Sequence, residues 1–289
     1  MLAPLLLFTS LALLPGDSPT LETRLKPLFD SHKGKSAVAV KHLMTGESYR
    51  LRSDVPMPTA SLVKFPVMIE AYRQAAEKKI DLDALVTLKK EDKVPGAGIL
   101  TPHFSPGAQF PLRDAIHLMI VYSDNTATNL VLDRIGIETT AATMEKMGFP
   151  HTKIHSKVFK RETSKFPERS KEFGLGSTTA DDMVALFEKL HKGDLVSKEA
   201  SAAMTKSLLQ CDDKIKFPRF LPPGTKIAFK TGSVDAVRTC AGIIHTKSGP
   251  VAMCVLTAEN EDKRWVQDSA GDLLCAKAAK AVWDHFNKQ

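Results

Sequence analysis

The order in which strand and helix patterns follow one another constrains this chain more than any single motif. "SAVAVKHLMTGESYRLRS" reads as two strands meeting at "MTGE", a hairpin signal. From about residue 60 to 210 the apolar spacing is helical, in "SLVKFPVMIEAYRQAAEKK", "LRDAIHLMIVYSDNTATNLVLDRIG", "TTAATMEKMG", "TTADDMVALFEKLHKG" and "SKEASAAMTKSLLQ". Strand patterns return in "KIAFKTGS", "TCAGIIHTKSG" and "PVAMCVLTAEN", and the helix "LLCAKAAKAVWDHFNKQ" follows. An opening helix, "LETRLKPLFDSHKG", carries Leu21, Leu25, Leu28 and Phe29 at helical spacing. Five strands divided by a helical block predict one antiparallel sheet, whose first hairpin and last three strands meet in space. The expected fold class is α+β: a five-stranded antiparallel sheet flanked by terminal helices, with an inserted all-helical subdomain. Residues 19–56 and 217–289 would form the sheet part, and 57–216 the helical part. Their junction is a cleft, a favoured place for a small-molecule site.

Composition removes several alternatives. The net charge of +7 comes from basic residues spread along the chain among acids, without aromatic interleaving, so no nucleic-acid partner is expected. "MLAPLLLFTSLALLPGDSPT" is too short to span a membrane comfortably. It reads as a secretory signal over residues 1–18, which implies export to the periplasm or beyond; a buried N-terminal helix is the plainer alternative. Cys211, Cys240, Cys254 and Cys275 form no CxxC pair. Either Cys240 and Cys254 face each other across a hairpin at "HTKSGP", or all four are buried thiols. His151 and His155 have helical spacing but no further ligand cluster, so neither a metal nor another cofactor is expected.

Three short motifs bear on chemistry. In Ser61-Leu62-Val63-Lys64, at a helix start, residues three apart share a face, so hydroxyl and amine can touch. A serine is a poor nucleophile until a base takes its proton, and a lysine serves only with a lowered pKa. The positive helix end and apolar neighbours push that way. Ser123-Asp124-Asn125 lies between two helical patterns, where a capping turn is the ordinary reading. Lys230-Thr231-Gly232-Ser233 ends a strand. Its lysine and hydroxyls suit a carboxylate, and Gly232 would leave room for a substrate. There is no G-x-S-x-G elbow.

Together, in this order and on these elements, the motifs resemble those of class A β-lactamases and penicillin-binding proteins. "TASLVKFPVMI", "GAGIL", "LRDAIHLMIVYSDNTATNLVLDRIG" and "FKTGS" are similar to class A segments at similar spacing, over nearly the whole chain after the leader. The resemblance implies a serine hydrolase of β-lactams, expected to be monomeric and associated with antibiotic resistance. Ser61 would be the acylated nucleophile, Lys64 its proton partner and Ser123 the shuttle to the lactam nitrogen. Asn125 would hold the acyl side chain, and Lys230, Thr231 and Ser233 the substrate carboxylate. The backbone N–H groups of Ser61 and Ser233 would form the oxyanion hole. Arg238 is either a further carboxylate anchor or a surface arginine.

The resemblance breaks down in "KVFKRETSKFPERSKEFGLG", residues 157–176. Class A enzymes carry there an Arg-x-Glu-Pro-Glu-Leu-Asn string, whose first Glu activates the deacylating water, and an Asp that braces the loop. Here Ser177 stands at the bracing position before Thr178-Thr179, and the string is absent. Glu162 and Glu168 are the candidate bases; a solvated loop in which neither reacts is the alternative. Three functions follow: a β-lactamase with a divergent loop, a D-alanyl-D-alanine peptidase or related enzyme acting on peptidoglycan stem peptides, or a β-lactam sensor that stays acylated.

Overall fold

A computed structural model describes residues 20–287, so the leader read over residues 1–18 lies outside the described part. Strands β1 (Lys35–His42), β2 (Ser48–Leu51), β3 (Ile227–Val234), β4 (Val237–Thr246) and β5 (Gly249–Ala258) form one antiparallel sheet in the order β2-β1-β5-β4-β3. The two ends of the chain are joined by β1 and β5, where Val38 pairs with Val255.

The alternation of side chains along each strand sorts the core into two layers. Ala37 and Ala39 of β1 pack with the helical block, as do Ala228, Ala241 and Ala252. Val38, Val40, Phe229, Ile244, Met253 and Val255 pack against the terminal helices α1 (Leu21–Asp30) and α9 (Ala270–Phe286). Small residues on the inner face let the helices approach the sheet closely. Because both faces are covered, "PVAMCVLTA" reads as a continuous apolar run rather than an alternating one.

The helical block contains α2 (Lys64–Ala76), α3 (Leu112–Val121), α4 (Asn125–Ile135), α5 (Ile137–Lys146), α6 (Pro167–Phe173), α7 (Ala180–Lys192) and α8 (Lys198–Leu208). Every residue of α2 from Lys64 to Ala71 is buried, the mark of a helix surrounded by protein. Phe65 of α2 stacks on Phe187 of α7 with ring centroids 4.3 Å apart, locking the central helix to the layer on the sheet.

Two expectations need correction. The inserted block is not all-helical: Gly176–Thr178 pairs with both Met57–Pro58 and Lys153–Ile154, and Leu85–Thr87 pairs with Gln109–Pro111. Such short ladders are fixed by partners across loops, which periodicity does not register. Nor do Cys240 and Cys254 face each other: Cys240 pairs with Val255, and Cys254 with Ala241. This one-residue offset sends Cys240 toward the terminal helices and Cys254 toward the helical block. All four cysteines are buried free thiols.

Candidate active site

Ser61 lies in a 3-10 turn, Ala60–Val63, that runs directly into α2. Its entry is strained, since Ala60 adopts φ 47°. Three bonds hold the turn: Leu62 N–H donates to Thr59 O at 3.1 Å, Thr59 N–H to Gly176 O at 3.0 Å, and the Thr239 hydroxyl to Thr59 O at 2.8 Å. Gly232 of β3 presses against this turn. A Cβ there would sit 2.3 Å from Thr59 O and 2.9 Å from Leu62 N, so its missing side chain serves the packing of the strand on the Ser61 turn. The room expected for substrate at Gly232 is occupied by protein backbone.

Ser123 stands in the break between α3 and α4 at φ 53°, a second strained residue beside the cleft. The fully buried Lys64 amine donates to Ser123 O at 2.6 Å and to Asn125 Oδ1 at 2.8 Å, and meets Ser123 Oγ at 3.3 Å. Among the described residues it has no hydrogen bond to Ser61, so the serine expected to touch Lys64 directly is replaced as partner by Ser123. From the opposite side Lys230 donates to Ser123 Oγ at 3.0 Å and to Thr231 O at 2.9 Å.

These contacts constrain the protons. Ser123 O and Asn125 Oδ1 only accept, so they take two hydrogens of Lys64; a neutral amine then turns its lone pair to the Ser123 hydroxyl. Burial, followed by the charge of Lys230, holds the Lys64 pKa well below the usual lysine value, with Asp124 opposing. Burial also lowers Lys230, where Cys211 and Asp213 oppose it.

At the far end of β3 the structure reveals a residue that was not read from the sequence. Lys216, 3% exposed, donates to Ser233 Oγ at 3.0 Å and pairs with Asp213 at 3.3 Å and Asp272 at 3.1 Å. Burial works against its charge, but Asp213 and Asp272 outweigh that and raise its pKa. In "CDDKIKFPRF" it resembles any charged loop lysine; only the fold carries it beneath Ser233. Arg238 is neither surface residue nor free anchor. It is buried, 3.1 Å from Asp272, bonded to the carbonyls of Asp235, Val237 and Arg264, and stacked against Trp265.

Residues 157–176 form structure of their own, a 3-10 turn at Arg161–Thr163 followed by α6. Arg169 donates to Ser177 Oγ at 2.8 Å, and Ser177 donates to His151 O at 2.8 Å, with His155 Nε2 3.2 Å away. His155 Nδ1 lies 3.0 Å from Gly174 O, so both its ring nitrogens serve the loop. Burial lowers its pKa to about 4 and keeps it neutral.

Neither candidate glutamate lines the cleft: Glu162 borders a separate shallow groove with Asp133 and Lys165, and Glu168 is exposed on α6. The loop carboxylate on the cleft is Glu172. Val158 of the loop is clamped there: its N–H donates to Asn129 Oδ1 at 2.8 Å and its carbonyl accepts from Asn129 Nδ2 at 3.0 Å. Ser61, Ser123, Asn125, Lys230, Thr231 and Ser233 all border this cleft of about 2010 Å³, while Lys64 lies beneath it.

A serine on a strained turn, with two buried lysines sharing one hydroxyl, is a site built for acyl transfer to serine. The chain belongs to the Beta-lactamase enzyme family, whose sequence model matches residues 20–286. It is similar to a β-lactamase of Streptomyces cellulosae, 26% identical over 250 residues that cover 84% of this chain and 78% of that one. The crystal structure of a β-lactamase from Sphaerobacter thermophilus superposes with a TM-score of 0.81 at 26% identity, covering 92% and 97% of the two chains. The structure of PBP-A shares the fold with a TM-score of 0.79 at 23% identity, covering 92% and 95%.

Proposed function

We propose that this protein hydrolyses β-lactams through a Ser61 acyl-enzyme. The observation that carries the reading is the Ser123 hydroxyl held between Lys64 and Lys230. The Ser61 proton leaves through Ser123 Oγ to the neutral Lys64 amine as Ser61 Oγ bonds to the lactam carbonyl carbon. The backbone N–H groups of Ser61 and Ser233 receive the oxyanion. On collapse the carbon–nitrogen bond breaks, and Ser123 hands the nitrogen its proton from Lys64. Lys230, Thr231 and Ser233, with Lys216 behind, receive the substrate carboxylate. Lys64 is then neutral again and can take a proton from the water that attacks the ester. Export, and action as a monomer, belong to the same proposal.

A second reading is favoured by Val158. Val158, clamped at the cleft by Asn129, has no side-chain proton acceptor, Glu162 and Glu168 do not line the cleft, and Glu172 is the one loop carboxylate that does. Acylation is then equipped better than deacylation, as suits a D-alanyl-D-alanine peptidase of stem peptides that β-lactams inhibit.

The two readings separate in one experiment: a chromogenic cephalosporin is added while intact mass is followed. Continuous turnover with little adduct supports the lactamase, and a persistent stoichiometric adduct rejects it. Turnover of a D-Ala-D-Ala peptide then selects the peptidase, and its absence a sensor. Hydrolysis by Ser61→Ala would overturn both enzymes. If Glu172→Gln alone arrests deacylation, the second base is that carboxylate and not Lys64.

A further inference from the structure

Thr239 of β4 belongs to none of the three motifs, yet its fully buried hydroxyl reaches the turn that carries Ser61. It stands beside Gly232 in the β3–β4 register and, like Ala241 two residues on, faces the helical block. Its one hydroxyl hydrogen goes to Thr59 O at 2.8 Å; Gly232 O, at 3.5 Å, is the more distant acceptor. A Cβ at Gly232 would lie 2.5 Å from Thr239 Oγ1 and 2.3 Å from Thr59 O. The bond therefore crosses space that a side chain would claim, and the glycine at 232 is what admits it.

The bond acts on a single peptide plane. Thr59 O also accepts the Leu62 N–H within the turn, so one carbonyl ties the turn to itself and to the sheet. Among the described residues, Thr239 is the one donor to Thr59 O from outside the turn. The Thr59 hydroxyl is buried without a partner, so the residue is fixed by its backbone and not by its side chain. With the Thr59–Ala60 peptide held, the left-handed φ of Ala60 sets the direction of the N–H and side chain that follow, both of Ser61. Ala60 carries a Cβ and disfavours that conformation, so its surroundings must over-determine it.

Resting on the Ser61 acylation reading, we infer that Thr239 is a positioning residue, whose hydroxyl fixes the Thr59 carbonyl and so aims the Ser61 hydroxyl and N–H at the reacting carbonyl. The test follows the Ser61 adduct by intact mass over a series of benzylpenicillin concentrations, which separates the saturating acylation rate from the half-saturation concentration. Thr239→Val keeps the shape and removes the hydroxyl. It should lower the saturating rate by about tenfold to a hundredfold, as for a misplaced reacting group, and leave half-saturation within about twofold. Thr239→Ser keeps the hydroxyl and should recover most of that loss. Equal loss in both variants would assign the effect to packing, and a raised half-saturation at an unchanged rate would assign it to substrate binding. Either result overturns the positioning role, as does a parent-like Thr239→Val. Absence of any Ser61 adduct in the parent protein would overturn the acylation reading itself, and the role of Thr239 with it.

Discussion

Lys64 has no hydrogen bond to the serine it is paired with in sequence, and its partners come from the SDN turn. Its lowered pKa arises from burial and then from the Lys230 charge, which gives the pH dependence a sign. In the proposed mechanism acylation needs Lys64 deprotonated, so the rate should rise with pH through the Lys64 pKa, below the ordinary lysine range. Lys230→Met removes the second cause, so the residual acylation should have its rising limb displaced to higher pH. An unmoved limb in a pH profile of adduct formation would mean that Lys64 is not the base. The serine and both lysines were legible as candidates in the sequence, because their motifs are contiguous. Lys216 was not, because nothing local distinguishes a lysine under Ser233 from one in water.

At the scale of elements, the site depends on how closely β3 lies on the turn of Ser61. Gly232→Ala places a methyl carbon on the Thr59 carbonyl, so strand and turn must part. The expected outcome is loss of about 1–3 kcal/mol of stability, as for overpacking, with a larger loss of acylation. A thermal melt beside the adduct assay checks both, and unchanged acylation would show that the contact does not position Ser61. The loop at 157–176 gives a second prediction. Ser177→Ala removes the oxygen shared by Arg169, His155 and the His151 carbonyl, so limited proteolysis within the loop should accelerate several-fold while the sheet stays protected. The helices and long strands were readable from spacing. The bracing position was legible only through the resemblance, as Ser177; its partners Arg169, His155 and the His151 carbonyl were not, because they meet through the path of the loop.

Across the whole molecule, the two chain ends meet in the sheet, and a buried charge network anchors the last helix. Asp272 of α9 pairs with Arg238 of β4 and with Lys216, tying the last helix to the Ser233 end of the cleft. Asp272→Asn leaves two buried cations short of a partner and should cost about 3–5 kcal/mol, the range for breaking a buried pair. Denaturant unfolding measures it, and a loss within error would show the network to be redundant. A reductant should leave the melting temperature unchanged, since Cys211, Cys240, Cys254 and Cys275 are all buried free thiols.

The amino-acid sequence by itself determined the α+β class, the division of five strands by a helical block, and the positions of Ser61, Lys64, Ser123 and Lys230. Those features are written in local periodicity and contiguous motifs, which need no distant partner. Tertiary structure alone decided that Cys240 and Cys254 part, that Arg238 is committed to Asp272, and that Lys216 supports Ser233. It also turned Glu162 and Glu168 from the cleft and set Val158 there. Each of these follows from register, burial or the path of a loop, where one residue of offset or one backbone clamp reverses which way a side chain faces.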